Sequence, residues 1–179
     1  MQHLPGSSRK IVIDTSALIS LSHGGLLDLV LEEFRVVVSD LIIEELKKMA
    51  EYDDEDGKAA REILTEISRL EMRAIDMKEI GRIVTSRLDE GEASCVLLAQ
   101  AEDIEALISD DFKAMHQLQY YSSQHSFDLG LGAALIHALV LRGKLSKAEA
   151  LESIERIASK RDWLGRSIYN AYTKSLQGD

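Results

Sequence analysis

Carboxylates recur in this chain where strands and helices would bring them to one edge of a sheet. Asp14 directly follows Ile11-Val12-Ile13, three β-branched residues that read as a strand buried on both faces. Asp110 and Asp111 follow a second apolar run, Glu105-Ala106-Leu107-Ile108-Ser109. Glu45 lies in an amphipathic stretch after a third run, Phe34 to Ser39, and Glu92 opens a segment that is apolar nearly all round. Open α/β sheets bind ligands beyond the carboxyl ends of their strands, where the strand order reverses. If the first and fourth strands are neighbours there, Asp14 and Asp110 or Asp111 meet, and Glu45 and Glu92 sit on helices leaving the same edge. Several carboxylates in one cleft repel unless protonated or metallated. Hard oxygen donors of this kind suit Mg²⁺ or Mn²⁺.

Each acid also has a purely structural account. Asp14, Thr15 or Ser16 can cap the helix that follows. Asp89 with Glu92 three residues on resembles a capping box with Asp in place of Ser or Thr. Asp110 can cap the helix after the fourth strand. Glu45 is separated from Glu44 by helical phase: with Ile42, Leu46 and Met49 on the apolar face, Glu45 falls at its edge, while Glu44 points to roughly the opposite side at ~100° per residue. An edge residue can still snorkel to solvent. What capping and snorkelling explain poorly is the joint arrangement.

The elements needed to position these acids are legible as alternating patterns. Strands are predicted at Lys10 to Asp14, Phe34 to Ser39, Met72 to Asp76 and Glu105 to Ser109, with a fifth, edge strand at Tyr120 to Ser123. Helices are predicted from about Ser16 to Ser22, Leu26 to Glu33, Leu41 to Ala50 behind an Asp40 cap, Ala59 to Leu70, Lys78 to Leu88, Glu92 to Ala101 and Lys113 to Leu118. From Asp128 onward the pattern is helical throughout: Leu129 to Leu141, a capping-box helix from Ser146 to about Lys160, and Leu164 to Leu176. Strands alternating with helices predict an α/β fold with a parallel sheet covered on both faces. The expected organisation is one domain with its core at about 10–125 and a helical extension at about 126–179, behind a flexible leader of residues 1–9.

Composition narrows the function classes. The 179 residues include 45% hydrophobic and 29% charged residues, an ordinary globular mixture. A formal net charge of −10 argues against a broad basic nucleic-acid-binding face, but not against a nuclease whose acids hold cations. Cys95, the single cysteine, excludes an internal disulfide, suits a reducing cytoplasm, and sits in an apolar run that reads as core. Met1 to Lys10 lacks the apolar run of a signal peptide, and Leu129 to Leu141 is shorter than the ~20 residues of a membrane span. The acidic run Asp53 to Asp56 reads as a solvated loop. No Gly-rich phosphate loop follows the first strand, and the second acid of a haloacid-dehalogenase loop is missing after Asp14. The five histidines show no metal-ligand spacing. Trp163, Tyr169 and Tyr172 read as helix packing sooner than as base-stacking residues.

Four ordered segments resemble the PIN domain nucleases, which include VapC-type toxins: Val12 to Leu18, Ile42 to Leu46, Glu90-Gly91-Glu92-Ala93 through Leu98-Ala99, and Leu107 to Asp111. Gly143 to Ser146, the amphipathic helix after it and Trp163 are similar to the ending of some archaeal and bacterial members. The resemblance implies a three-layer α/β/α sandwich with a central parallel sheet of four or five strands. It also implies Mg²⁺- or Mn²⁺-dependent cleavage of single-stranded RNA, with water as nucleophile. The implied metal ligands are Asp14, Glu45, Glu92 and an acid at Asp110 or Asp111, since Ser109-Asp110-Asp111 matches two variants of the family motif. Thr15, Ser16 and Ser109 would orient carboxylates or water. A homodimer, and for toxin members an antitoxin partner, are further implications. Arg9, Lys10, Lys47, Lys113 and Arg142 are unranked candidates for substrate contacts. The rival expectation is a non-catalytic PIN-like binding or assembly module, and a phosphoryl-accepting receiver is a more distant third.

Overall fold

Five strands form one all-parallel sheet in the computed structural model, which describes residues 9–161 and positions 169, 170, 173, 174 and 176. The strands are β1 (Arg9–Ile13), β2 (Phe34–Ser39), β3 (Glu71–Arg73), β4 (Ala106–Ile108) and β5 (Asp128–Gly130), in the order β3-β2-β1-β4-β5. Val12 pairs with Val37 on one side and Leu107 on the other, so β1 is central and the order reverses beside it. Ile11, Val12, Ile13, Val36, Val37 and Val38 are all buried, as expected of β-branched strands covered on both faces.

The helices are α1 (Thr15–His23), α2 (Leu27–Glu33), α3 (Asp40–Met49), α4 (Glu55–Thr65), α5 (Met77–Ile83), α6 (Glu90–Ala101), α7 (Met115–Gln124), α8 (Gly132–Leu141) and α9 (Lys147–Lys160). Helix α6 packs across β1, β2 and β4, with α5 against it, and Ser94 meets Ser39 hydroxyl to hydroxyl at 2.6 Å. Helices α1, α8 and α9 pack on one another, and α2 packs on β2 and α8. The result is a three-layer α/β/α sandwich. Cys95 is fully buried, and burial pushes its thiol well above the usual range, as an inert core residue requires. Among the described residues no helix is long and apolar enough to cross a membrane.

Several local expectations are corrected. The fifth strand is Asp128–Gly130, inside the segment read as wholly helical, whereas Tyr120 to Ser123 belongs to α7. A strand of three residues is too short to show an alternating pattern. Gly130 marks it only through tertiary contact, since a Cβ there would stand 2.9 Å from Ile108 Cδ1. Strand β3 begins and ends earlier than Met72 to Asp76, and Asp76 instead caps α5 through the Lys78 amide. Helix α5 stops at Ile83, and the chain then closes a Thr85–Leu88 bridge. Helix α4 ends at Thr65, followed by a single 3₁₀ turn at Ile67–Arg69. Ser39, not Asp40, caps α3 by accepting from the Ile42 amide. The run Asp53 to Asp56 is more than a solvated loop: Asp54 caps α4, and Asp56 Oδ1 lies 2.7 Å from Nε2 of the buried His23. Trp163, Tyr172 and the leader up to residue 8 lie outside the described residues.

Candidate active site

The carboxyl edge of the sheet opens into a cavity of about 50 Å³ lined by Asp14, Thr15, Ser16, Ile42, Glu45, Asp89, Glu92 and Asp111. That is room for a few water-sized groups. Asp14 leaves β1 as the cap of α1, and its Oδ1 accepts from the Ala17 amide at 2.8 Å and from the Ser16 hydroxyl at 2.8 Å. The capping account and the cavity account of Asp14 are therefore both true. Glu45 leans inward from α3 and accepts a 2.5 Å bond at Oε2 from the Thr15 hydroxyl. Its neighbour Glu44 faces solvent and pairs with Lys47, as helical phase requires. Glu92 and Asp89 form the reciprocal capping box of α6, with Glu92 Oε2 accepting from the Asp89 amide at 2.8 Å. A Cβ on Gly91 would meet Glu45 Oε2 at 3.3 Å, so the glycine lets α6 approach α3 closely.

The structure separates the adjacent pair after β4. Asp111 lines the cavity, anchored through Oδ1 to the amides of Lys113 at 2.6 Å and Ala114 at 3.3 Å. Asp110 turns away into the protein and accepts from the Gly132 amide at 2.9 Å, so it serves α8 and not the helix that follows its own strand. Its Oδ2 is buried without a hydrogen-bond partner, and a Cβ on Gly132 would come within 2.9 Å of that oxygen. Ser16 ties the two sides together, since its hydroxyl donates to Asp14 and accepts from the Asp110 amide at 2.8 Å. Ser109, fully buried, accepts from the Asp111 amide at 3.1 Å. Asp89 also lines the cavity, and the sequence marked it only as a cap. Its capping-box partner Glu92 was the available signal, because a box built on two acids holds both at one helix end.

Among the described residues no basic side chain lines the cavity. Burial pushes the Asp14 carboxyl from 3.8 to about 7 against the opposing bonds from Ser109, Ala17 and Ser16, and the nearby Asp110 adds to the rise. Burial likewise raises Glu92 from 4.5 to about 7, with Asp89, Asp111 and Asp14 adding like-charge repulsion. Glu45 is raised by burial and by Asp89, opposed by the Thr15 bond and by Lys48. Asp110 is raised by burial, which outweighs the lowering effects of Ser20, the Gly132 amide and the Arg161 charge.

An oxygen-only donor set, spare room and mutual repulsion fit a hydrated divalent cation, which keeps several of its own waters. Glu45, Glu92 and Asp111 are each anchored through one oxygen, and their second oxygens carry no hydrogen bond to protein among the described residues. Among the described residues, however, no three acidic, histidine or cysteine side chains stand close enough to form a ready-made ion cage. The acids line the cavity without converging on one point, as uncompensated charges do.

A family model described as a PIN domain matches residues 10–177. No curated protein matches the chain. The matched span covers nearly the whole sequence, including β5 and the helices after it, and PIN domains are generally nucleases that use divalent metals. On the fold and on this match, the chain belongs to the PIN domain family.

Proposed function

We propose that the protein is a divalent-metal-dependent endoribonuclease hydrolysing phosphodiester bonds of single-stranded RNA. The observation that carries this reading is the set of four carboxylates, Asp14, Glu45, Glu92 and Asp111, anchored around one cavity with no basic residue in its lining among the described residues. Such a set costs stability in an unliganded fold, and a dication offsets that cost. Asp14 and Asp111 would hold Mg²⁺ or Mn²⁺ at the centre, with Glu45 and Glu92 completing that site or an adjacent one. Bound there, the cation supplies an acidified water and a positive charge for the phosphate oxygens. Ser16 and the Ala17 amide hold Asp14 in one rotamer, and Thr15 does the same for Glu45. Asp110, nominated from the sequence, acts in this reading as a positioning residue that docks α8 behind the site. A homodimer, an antitoxin partner and a toxin role belong to the same reading and are tested by the mass of the purified protein and by growth arrest on expression.

The test is cleavage of a mixed single-stranded RNA pool by wild type and Asp14→Asn, with Mn²⁺, with Mg²⁺ and with EDTA. Cleavage lost in EDTA and in the variant supports the reading. Cleavage that survives Asp14→Asn overturns the site assignment. Metal binding without cleavage favours the rival, a non-catalytic PIN-like module, for which the specific support is that no three acidic, histidine or cysteine side chains cluster among the described residues.

A further inference from the structure

The fold commits most of its positive charges to ion pairs, and this ranks the residues able to hold a substrate phosphate. Of the five cations nominated from the sequence, four are occupied: Arg9 by Glu105, Lys10 by Glu102, Lys47 by Glu44 and Arg142 by Glu33. Lys113 has no ion pair among the described residues, but it lines neither of the two cavities at this edge. Lys48 was not nominated. It has no ion-pair partner among the described residues, and it lines a groove of about 360 Å³ between α3 and the start of α6. That volume lies within the roughly 300–1,000 Å³ range of sites that hold small organic groups.

The groove and the acid cavity share two walls, Glu45 and Asp89, so a strand reaching the cavity continues into the groove. Lys48 stands one helical turn beyond Glu45 on α3, about 4.5 Å along the axis. Among the described residues it is the only cation lining either cavity; the groove's other charged walls are Glu44, Glu45, Asp89 and Glu90. Leu41 supplies an apolar wall at the same place. A nucleotide has both matching parts, an anionic phosphate and a base with apolar faces. Without Lys48, a phosphate entering this groove meets only carboxylates.

We propose that Lys48 holds a backbone phosphate of the nucleotide next to the scissile bond, seated in the α3–α6 groove with its base against Leu41. The proposal rests on the hydrolase reading of the adjacent cavity. It makes Lys48 a substrate-positioning residue whose removal weakens binding without slowing the chemical step.

The test measures anisotropy of a fluorescein-labelled single-stranded RNA of about ten nucleotides bound to Asp14→Asn, in Mn²⁺, from about 50 to 300 mM salt. The same measurement is made with Lys48→Gln, Lys48→Arg or Lys147→Gln added. Lys147, on α9, is an exposed lysine outside any ion pair among the described residues and lines neither cavity. Lys48→Gln is expected to weaken binding about fivefold and to flatten the slope of log K against log salt by about 0.7, the share of one phosphate contact on a single strand. Lys48→Arg restores both, and Lys147→Gln changes neither. In the otherwise wild-type enzyme, Lys48→Gln raises KM by the same factor and leaves kcat within about twofold. If wild type cleaves RNA and Lys48→Gln behaves as Lys147→Gln, the groove proposal is overturned and the hydrolase stands. If binding depends on Lys48 but wild type never cleaves, the groove stands and the hydrolase falls. Failure of Asp14→Asn to bind RNA at all overturns the groove proposal.

Discussion

Helix α6 carries a cluster of charged residues at each end, and the acids of the two clusters behave in opposite ways. At its carboxyl end, Glu102 joins a ladder across the first three strands: Lys10 and Arg73 bond Glu102, and Arg35 and Arg73 bond Glu71. Both ladder acids sit below the ordinary carboxyl range, because guanidinium and ammonium donors favour their charged forms. At the amino end, Glu92 faces Asp14, Glu45, Asp89 and Asp111 with no basic residue in the cavity lining among the described residues, and Asp14 and Glu92 rise to about 7. Glu92 and Glu102 stand ten residues apart, about 15 Å along the helix axis. Three cations serve the ladder, and among the described residues none lines the cavity. The imbalance is local, so the net charge of −10 says little about it. Acids gathered with no basic residue among their described neighbours in the lining, beside a ladder whose acids are paired, are the arrangement on which the proposed cation site rests.

The largest test of this contrast removes its centre. Asp14→Asn should reduce RNA cleavage by about 10³-fold or more. It should leave the metal-free melting temperature at pH 8 unchanged or higher, because asparagine still caps α1 without carrying a buried charge. A fall in both together would mean that Asp14 is chiefly structural.

Next, the adjacent acids should separate. Asp111→Asn is expected to lower cleavage about 10²-fold with little change in melting. Asp110→Ala leaves the Gly132 amide without its acceptor and should destabilise by about 1–3 kcal/mol, keeping cleavage within about tenfold below its melting temperature.

The pH dependence should differ in sign between the two ends. Asp14 and Glu92 have folded values raised above 3.8 and 4.5, so between those values and about 7 the folded state holds more protons than the unfolded one. Metal-free stability should therefore fall as pH rises through about 4–7, and millimolar Mn²⁺ should restore it at pH 8. The ladder acids have lowered values, so their contribution is present above 4.5 and lost as pH falls below it. Thermal melts across pH, with and without Mn²⁺, read both effects.

The smallest effect is expected at the ladder itself. Glu102→Gln should cost about 1 kcal/mol in a denaturant melt and leave cleavage unchanged. A large loss of cleavage there would show that the two ends of α6 are coupled.

Much of this was legible in the chain itself. The β-branched runs marked β1 and β2, and their pattern placed Asp14 at a strand end. Helical phase told Glu45 from Glu44, and the spacing of Asp89 and Glu92 gave the capping box that holds both at the cavity. These features depend on neighbours within a turn or two, so local periodicity encodes them. Which of Asp110 and Asp111 faces the cavity was not legible, because both follow β4 and the choice is made by Gly132, 22 residues away from Asp110. The same holds for the occupation of Lys10 by Glu102, 92 residues distant, and for the lack of an ion-pair partner for Lys48 among the described residues. Strand β5 was hidden for a related reason, since three residues carry no alternation and only contact with β4 makes them a strand. The sequence by itself determined where acids stand along each element. Tertiary structure alone decided which charges are neutralised and which remain, because that balance is struck between side chains that meet only after the sheet has formed.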